Sequence, residues 1–373
     1  MMNEIEKPHA VHKWVSCSVQ EILNLPNSHV LHSYFNASPE SPDGRYVLYF
    51  VSSAADAHRG DLCIIDRLTG EVDIIDAGIE VEDAHRQANQ QWVAEGRFIV
   101  YMRITNKRWE VVRWDTRIRV RTIMATDRQP GWGQAHLSLV PLYGIAANPG
   151  DFGDLEMLDV ESGKIRNILL LEQVKRDHQS IIASLFGEHI PDSLFFPVLS
   201  PDGQKIFFKL SASLDGKLRS DKSSTRRGLF GYNILTKQTL HHDDEWRHPT
   251  WHPGSEHIIN THQIINIDSG VVDTIPWYPR HCNTHPAVSP DGTLLCIDGR
   301  RAPITGTDLH WAVVVGDFKD AFHIIHEAPG SEEGTTSWRK PHPHPVFNHD
   351  GTRIYFNVKQ GSWMTLMVAE LPS

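Results

Sequence analysis

Short apolar stretches recur along the chain, and each follows a turn that ends in glycine. The stretches RYVLYFV, QKIFFKL, TLLCID and TRIYFNV come directly after Gly44, Gly203, Gly292 and Gly351. Runs of β-branched and aromatic residues bounded by turn residues are typical of β-strands. Asp-Gly supplies the positive φ that a tight hairpin needs. The pattern therefore predicts antiparallel strands joined by hairpins.

The turn itself is a repeated phrase. SPDG stands at Ser41–Gly44, Ser200–Gly203 and Ser289–Gly292, and NHDG at Asn348–Gly351 and HPG at His252–Gly254 are degenerate copies. Two or three further strand-like segments follow each copy before the next begins. Units of four antiparallel strands that recur every 35 to 60 residues or so are typical of propeller blades.

The repeat predicts an all-β fold, a seven-bladed β-propeller of four-stranded antiparallel blades. The blades are expected to start near residues 32, 80, 131, 192, 244, 282 and 340, and residues 1–373 form a single domain. The last blade reaches the end of the chain after three strands. Because a propeller closes its ring by completing that sheet, residues 1–31 are expected to supply the missing outer strand.

Composition narrows the possible partners. The formal net charge of -10 argues against nucleic acid, since phosphate binding needs a concentrated basic surface. The chain has no apolar stretch long enough for a membrane span and no apolar core of a secretory signal near its start. Its four cysteines lack CxxC spacing, so a disulfide framework is not indicated. These features predict a cytoplasmic location.

The 23 histidines are the unusual feature of the composition, and several occupy one position of the repeat. His344 and His285 each lie seven residues before the turn glycine of their blade, and His248 lies six before Gly254, one residue shorter. Phe196 and Ala37 take this position in blades four and one.

Equivalent positions on the innermost strands of a propeller converge near its axis, so these imidazoles are expected to meet at one end of the channel. In HPHP the prolines favour extended geometry for both His342 and His344, which places the two imidazoles on one face. Histidine is the commonest metal ligand and a base suited to neutral pH, so a metal or catalytic cluster is predicted. The alternative is a packing role shared by the His-Pro pairs. His32, His85 and His136, which begin blades one to three, are expected to be structural.

Four segments together resemble the oligogalacturonate lyase family, cytoplasmic seven-bladed propellers related to the TolB-type repeat. They are HPHP before NHDG, NTHPAVSPDG, RHPTWHP, and YFNASPESPDGRYVLYF. HPHP is the most specific of them. The resemblance covers nearly the whole chain and implies a polysaccharide lyase of pectin degradation, which cleaves an acidic oligosaccharide of uronate units by β-elimination with the help of Mn²⁺.

The resemblance also implies roles for individual residues. His285, His342 and His344 correspond to metal ligands of the family, and His248 corresponds to its base. The family's glutamine ligand falls on Arg339, and an arginine does not ligate a metal. Either water or another group such as Gln134 completes the shell, or the substrate differs, or Arg339 binds a substrate carboxylate.

Arginines on loops and strand ends are candidates for recognising the carboxylates of an acidic sugar. They are Arg226, Arg227, Arg300 and Arg339. For each of them an ordinary solvated charge is the alternative. The rival function for the whole chain is a TolB-like propeller that binds a protein or a ligand without chemistry, and the coincidence of the histidines is the feature that argues against it.

Overall fold

The computed structural model describes residues 10–82, 85–144, 152–214, 224–278, 284–300, 310–329 and 342–372. A 3₁₀ helix covers Ala10–Ser16, and two α-helices, α1 (Leu171–Asp177) and α2 (Gln179–Phe186), form the only α-helical insertion among these residues. None of the helices in the described ranges has the length and apolar character needed to cross a membrane.

The remaining elements are strands. In chain order they are β1 (Ser18–Glu21), β2 (His29–Leu31), β3 (Tyr46–Ser52), β4 (Arg59–Asp66), β5 (Val72–Glu80), β6 (Gln91–Val93), β7 (Phe98–Thr105), β8 (Arg108–Asp115), β9 (Val120–Thr126), β10 (Arg128–Pro130), β11 (Leu139–Gly144), β12 (Leu155–Asp159), β13 (Ile165–Leu169), β14 (Ser193–Leu199), β15 (Lys205–Ser213), β16 (Ser224–Asn233), β17 (Gln238–Asp243), β18 (Thr250–Trp251), β19 (His257–Asn260), β20 (Gln263–Asn266), β21 (Val272–Thr274), β22 (Ala287–Val288), β23 (Leu294–Arg300), β24 (His310–Asp317), β25 (Phe322–Pro329), β26 (Val346–Phe347), β27 (Arg353–Gln360) and β28 (Trp363–Glu370).

Consecutive strands pair antiparallel and form repeated sheets of four. Five sheets follow the orders β10 to β13, β14 to β17, β18 to β21, β22 to β25, and β26-β27-β28-β1. The sixth sheet contains β2 to β5 and β6 to β9, and the pair Glu80 and Ile104 joins its two halves. The all-β class and the four-stranded antiparallel sheets are thus confirmed, and the number of blades in the ring stays a prediction.

Burial decreases from the inner to the outer strand of a sheet. Strands near the channel, such as β14, are buried along their whole length, whereas the outer strands β9 and β21 are mostly exposed. The apolar clusters combine side chains of adjacent sheets, as where Tyr49 of β3 packs in one cluster with Tyr355 of β27. Because both faces of an inner strand are covered, its sequence reads as a continuous apolar run.

The turns explain the spacing of the repeat and correct one expectation. In SPDG the glycine takes the positive φ, 71° at Gly203. In the degenerate copy that begins at His252, the residue with positive φ is Ser255, with φ 61°, and its N–H donates to the His252 carbonyl at 2.9 Å. The turn is therefore His252–Ser255, and the expectation that His248 stands one residue short was wrong. His248 lies seven residues before the turn residue, as His344 does.

The two ends of the described chain meet in one sheet. β1 pairs antiparallel with β28, from Ser18 opposite Glu370 to Glu21 opposite Met367. A buried carboxylate, Glu40, adds a polar link between the first and last sheets. It accepts hydrogen bonds from the Asn348 amide at 2.9 Å and from the Tyr355 hydroxyl, and forms an ion pair with Arg353 at 3.2 Å.

We expect Glu40→Gln to lower the free energy of unfolding by about 2–3 kcal/mol, since the buried Tyr355 hydroxyl and Asn348 amide lose a charged hydrogen-bond acceptor. The midpoint and slope of urea unfolding measure this change. Glu370→Gln is the matched control, because Glu370 pairs with the same Arg353 at a partly exposed site. It should cost less than about 1 kcal/mol. Equal losses in the two variants would contradict the buried link.

Candidate metal and catalytic site

Four histidines from three parts of the chain gather in one cluster. One ring nitrogen from each of His85, His285, His342 and His344 lies within 4.8 Å of all the others. The ring centroids of His285 and His344 are 4.4 Å apart, and those of His85 and His344 are 4.7 Å apart. The cluster therefore brings together the sheets that contain β22 and β26 and the loop that precedes β6.

A strained backbone holds several of the residues at the equivalent position. Phe196, His248 and His344 have φ of 57°, 60° and 48°, and each lies seven residues before the turn residue of its sheet. Asn89, seven before Gly96, has φ 48°. The expectation of extended geometry at His344 was therefore wrong. Left-handed backbone at residues other than glycine costs about 1–3 kcal/mol and clusters at functional sites.

His344 is a fully buried imidazole with no hydrogen bond on either ring nitrogen among the described residues. Burial, and then the nearby rings of His285, His85 and His342, hold its pKa well below the ordinary value for histidine. The ring is therefore neutral, and both nitrogens lie in a site that excludes water. Buried nitrogens without a partner are costly unless something else satisfies them, and an ion does so.

Asp298 on β23 orients His285 from behind. The carboxylate lies 2.9 and 3.0 Å from the His285 ring Nδ1, and it also accepts the backbone N–H groups of His285 at 2.8 Å and His344 at 2.9 Å. Its complete burial raises its pKa to about 7, although the proximity of His342 and the two N–H groups lower it. A carboxylate on Nδ1 leaves Nε2 of His285 to face the cluster, the arrangement typical of metal-binding histidines.

Asn357 on β27 fixes the backbone of the HPHP segment. Its N–H donates to the Pro343 carbonyl at 2.8 Å, and its side-chain oxygen accepts the N–H of His32 at 3.1 Å. His32 is completely buried, and this burial lowers its pKa to about 4, against the opposing effect of the backbone of Pro343 and His344. His32 therefore supports the segment as a neutral ring, in keeping with a structural role.

His248 lies at the accessible side of the cluster. Its ring centroid is 4.6 Å from that of His285, and its side chain is partly exposed, unlike the fully buried His285 and His344. His342 is partly exposed as well and packs 4.7 Å from the indole of Trp311. His248 and His342 are thus the more exposed rings, and His285 and His344 are the buried ones.

Two aromatic rings pack against the cluster. Tyr34 packs 4.5 Å from His344, and Phe35 packs 5.1 Å from His285. Phe35 also lines a separate cavity of about 580 Å³ among the turns of several sheets, together with Gln134 and His136. Gln134 donates there to the Leu199 carbonyl at 2.6 Å. Gln134 thus lines this cavity together with Phe35, and its role in completing a metal shell stays a prediction.

The predicted arginines have different surroundings. Arg226 on β16 stacks over Phe195 at 4.6 Å, and Arg227 next to it is exposed. The backbone of Arg300 pairs with Trp311, which contacts His342, but the Arg300 side chain lies outside the described part of the structure. Arg339 lies outside the described residues altogether.

Sequence reasoning missed one cation near the channel. Arg86 follows His85 and is almost completely buried, and its guanidinium stacks over Phe196 at 5.3 Å. It donates to the Tyr143 hydroxyl at 3.1 Å and pairs with Glu82 at 3.3 Å. A residue in an irregular loop is not part of a periodic pattern. The only signal in the sequence that could have pointed to Arg86 is its position next to His85.

Comparison with known proteins finds similarity at the level of the fold. No family model matches the chain, and no curated protein matches it. Among solved structures, an oligogalacturonate lyase in complex with manganese has a TM-score of 0.65 at 15% identity, over 96% of this chain and 94% of that one. The oligogalacturonate lyase of Vibrio parahaemolyticus has a TM-score of 0.64 at 14% identity, over 95% of this chain and 94% of that one.

A propeller of a different kind matches less well. The Cps50 (Swd1) β-propeller domain of Myceliophteria thermophila has a TM-score of 0.52 at 9% identity, over 94% of this chain and 100% of that domain. The neighbours thus include oligogalacturonate lyases, as the resemblance in sequence predicted, and they establish a propeller-like fold.

Proposed function

We propose that this protein is a metal-dependent lyase that cleaves a uronic-acid-containing oligosaccharide by β-elimination, on a ring of seven blades. The observation that carries the proposal is the histidine cluster, in which the buried rings of His285 and His344 lie beside the accessible His248. A fold similar to that of solved oligogalacturonate lyases supports the substrate class.

The donor set fits a divalent metal. The neutral His344 ring has no other partner among the described residues, and Asp298 directs His285 toward the cluster. We assign the ligands as His285, His342 and His344, and the solved neighbour with manganese suggests Mn²⁺. When bound, such an ion supplies positive charge that stabilises the negative charge developing on a uronate carboxylate.

His248 is proposed to be the general base. Elimination removes the proton α to the uronate carboxylate, and the electron pair left on that carbon forms the double bond as the glycosidic oxygen departs. This proton is weakly acidic, so a base must lie close to it. A ring nitrogen of His248 accepts the proton, while the Tyr34 and Phe35 rings pack against His344 and His285.

Cations near the channel are proposed to bind the remaining carboxylates of the substrate. Arg226 stacks over Phe195, and all four arginines, Arg226, Arg227, Arg300 and Arg339, are assigned this role from the sequence. A planar guanidinium binds a carboxylate through two parallel hydrogen bonds. Local cations are needed because the chain as a whole is acidic. The expected cytoplasmic location stays a prediction.

Incubation of the metal-loaded protein with a panel of oligouronides tests the proposal. The unsaturated product absorbs in the short-wavelength ultraviolet, where the saturated substrate does not, so its appearance reports elimination directly. We expect product from at least one oligouronide, none from neutral oligosaccharides of the same length, and none after chelation. Stoichiometric metal binding without product from any uronide would reject the lyase. Absence of metal binding as well would favour a non-catalytic binding propeller.

We further expect Asp298→Asn to weaken metal binding by about 10- to 100-fold, because the partner that fixes the tautomer and raises the basicity of a ligating histidine is lost. Isothermal titration with the metal measures this change. Asp320→Asn is the matched control, since Asp320 is exposed at the turn between β24 and β25 of the same sheet. Equal affinity in the Asp298 variant and the wild type would show that Asp298 does not support a ligand.

A further inference from the structure

We infer that His85 is a fourth metal ligand and that the site is composed of imidazoles alone, which selects ions such as Co²⁺, Ni²⁺ and Zn²⁺ over Mn²⁺. The inference deepens the proposed function, because it rests on the assignment of a metal centre at this site, and it replaces Mn²⁺ with an ion that prefers nitrogen ligands. His85 does not occupy the repeated position of its sheet. That position is Asn89, four residues later.

The geometry of His85 carries the inference. Its ring centroid lies 4.9 Å from that of His342 and 4.7 Å from that of His344, and one of its ring nitrogens is within 4.8 Å of the ligand atoms of the other three histidines. Four nitrogens bound tetrahedrally at about 2.1 Å to one ion lie about 3.4 Å apart. Movements of less than about 1 Å in each ring therefore bring all four nitrogens to one ion.

The loop that carries His85 is built to hold it in place. Gln87 and Ala88 are completely buried, and Gln87 and Asn89 both have left-handed backbone. The Asn89 side chain donates to the Pro130 carbonyl at 3.2 Å, and Arg86 is anchored by Glu82. Loops normally run over the surface. This loop is buried and strained, and it places the His85 ring in the histidine cluster, which indicates that His85 belongs to the site.

The fourth imidazole changes the chemistry of the site. Imidazole nitrogen suits Zn²⁺, Ni²⁺, Cu²⁺ and Fe²⁺, whereas Mn²⁺ prefers carboxylate, carbonyl and water oxygens. The four histidines form the one group of histidine, cysteine and carboxylate side chains with ligand spacing in the described part of the chain. The ion also links the loop before β6 to the sheets of β22 and β26, so its binding should stabilise the ring across the channel.

Two variants of His85 test the inference by metal titration and melting temperature. We expect His85→Ala to weaken Co²⁺ and Zn²⁺ binding by at least about 100-fold, since even supporting partners of a ligand are worth 10- to 100-fold. His85→Gln offers an amide oxygen, so it should shift the preference between Zn²⁺ and Mn²⁺ toward Mn²⁺ by about tenfold or more. His136→Gln, in the separate cavity, should change neither affinity.

The coordination number of the wild-type protein provides a test that needs no variant. X-ray absorption of the Co²⁺-loaded protein should fit four imidazoles, and a fit to three would overturn the inference, as would unchanged affinities in both His85 variants. The outcome is separable from that of the proposed function. A four-imidazole site without elimination rejects the lyase alone, and elimination with a three-imidazole site rejects the role of His85 alone.

Discussion

Replacing His344 with alanine should reduce metal affinity by more than about 100-fold, because removing a ligand costs more than removing a partner behind it. Product formation from an oligouronide should fall about a thousandfold or more, since charge stabilisation by a metal is worth several kcal/mol. His344 is the residue for which metal binding is best supported, because its ring is fully buried and neither ring nitrogen is hydrogen-bonded among the described residues. Titration with the metal and the ultraviolet product assay measure the two effects.

Controls separate loss of a ligand from loss of the fold. His344→Asn keeps a residue that tolerates left-handed backbone, so it should fold and still lose the metal. His323→Ala removes a partly buried histidine of β25 and should leave metal binding unchanged. Wild-type affinity in a folded His344 variant would rule out this residue as a ligand.

Replacing His248 with glutamine should lower kcat by about 10²- to 10⁴-fold, the usual contribution of a general base, while metal affinity changes by less than about threefold. The side chain keeps its approximate size but cannot accept the proton at neutral pH. His248 lies beside the cluster yet is not among the four residues with ligand spacing, so base and ligands are separate groups.

The pH profile of kcat/KM distinguishes a base from a residue that only packs. The acidic limb of the wild-type profile should disappear in His248→Gln, whereas a structural role would lower the rate and keep the limb. His252→Gln is the matched control, because His252 lies four residues on and contacts the Gly292 carbonyl at the turn. It should retain both the rate and the limb. A similar loss in both variants would contradict the assignment of His248.

Within the repeats, the sequence was sufficient to predict the strands and the approach of two histidines. Asp-Gly turns and apolar runs predicted the four-stranded sheets, and the distance back from each turn predicted that His285 and His344 approach each other. The same logic failed at His252–Ser255, because the glycine there was taken for the residue with positive φ, which is Ser255. The hydrogen bonds of the turn determine which residue has positive φ, and they cannot be read from the amino-acid sequence.

Residues outside the repeat could not be found in this way. His85 belongs to an irregular loop, and its approach to His344 depends on how that loop folds across the channel. Asp298 lies inside an apolar strand and reads as an ordinary strand residue until the His285 ring is placed against it. Gln134 starts a blade as well, and it lines a separate cavity together with Phe35.

Diffraction from crystals grown with Co²⁺, recorded at the absorption edge of the metal, locates the ion. We expect one strong anomalous peak in the histidine cluster, about 2.1 Å from a ring nitrogen of each of His285, His342 and His344, within ordinary metal-ligand distance. A peak at another place, or none in crystals that contain the folded protein, would contradict this expectation.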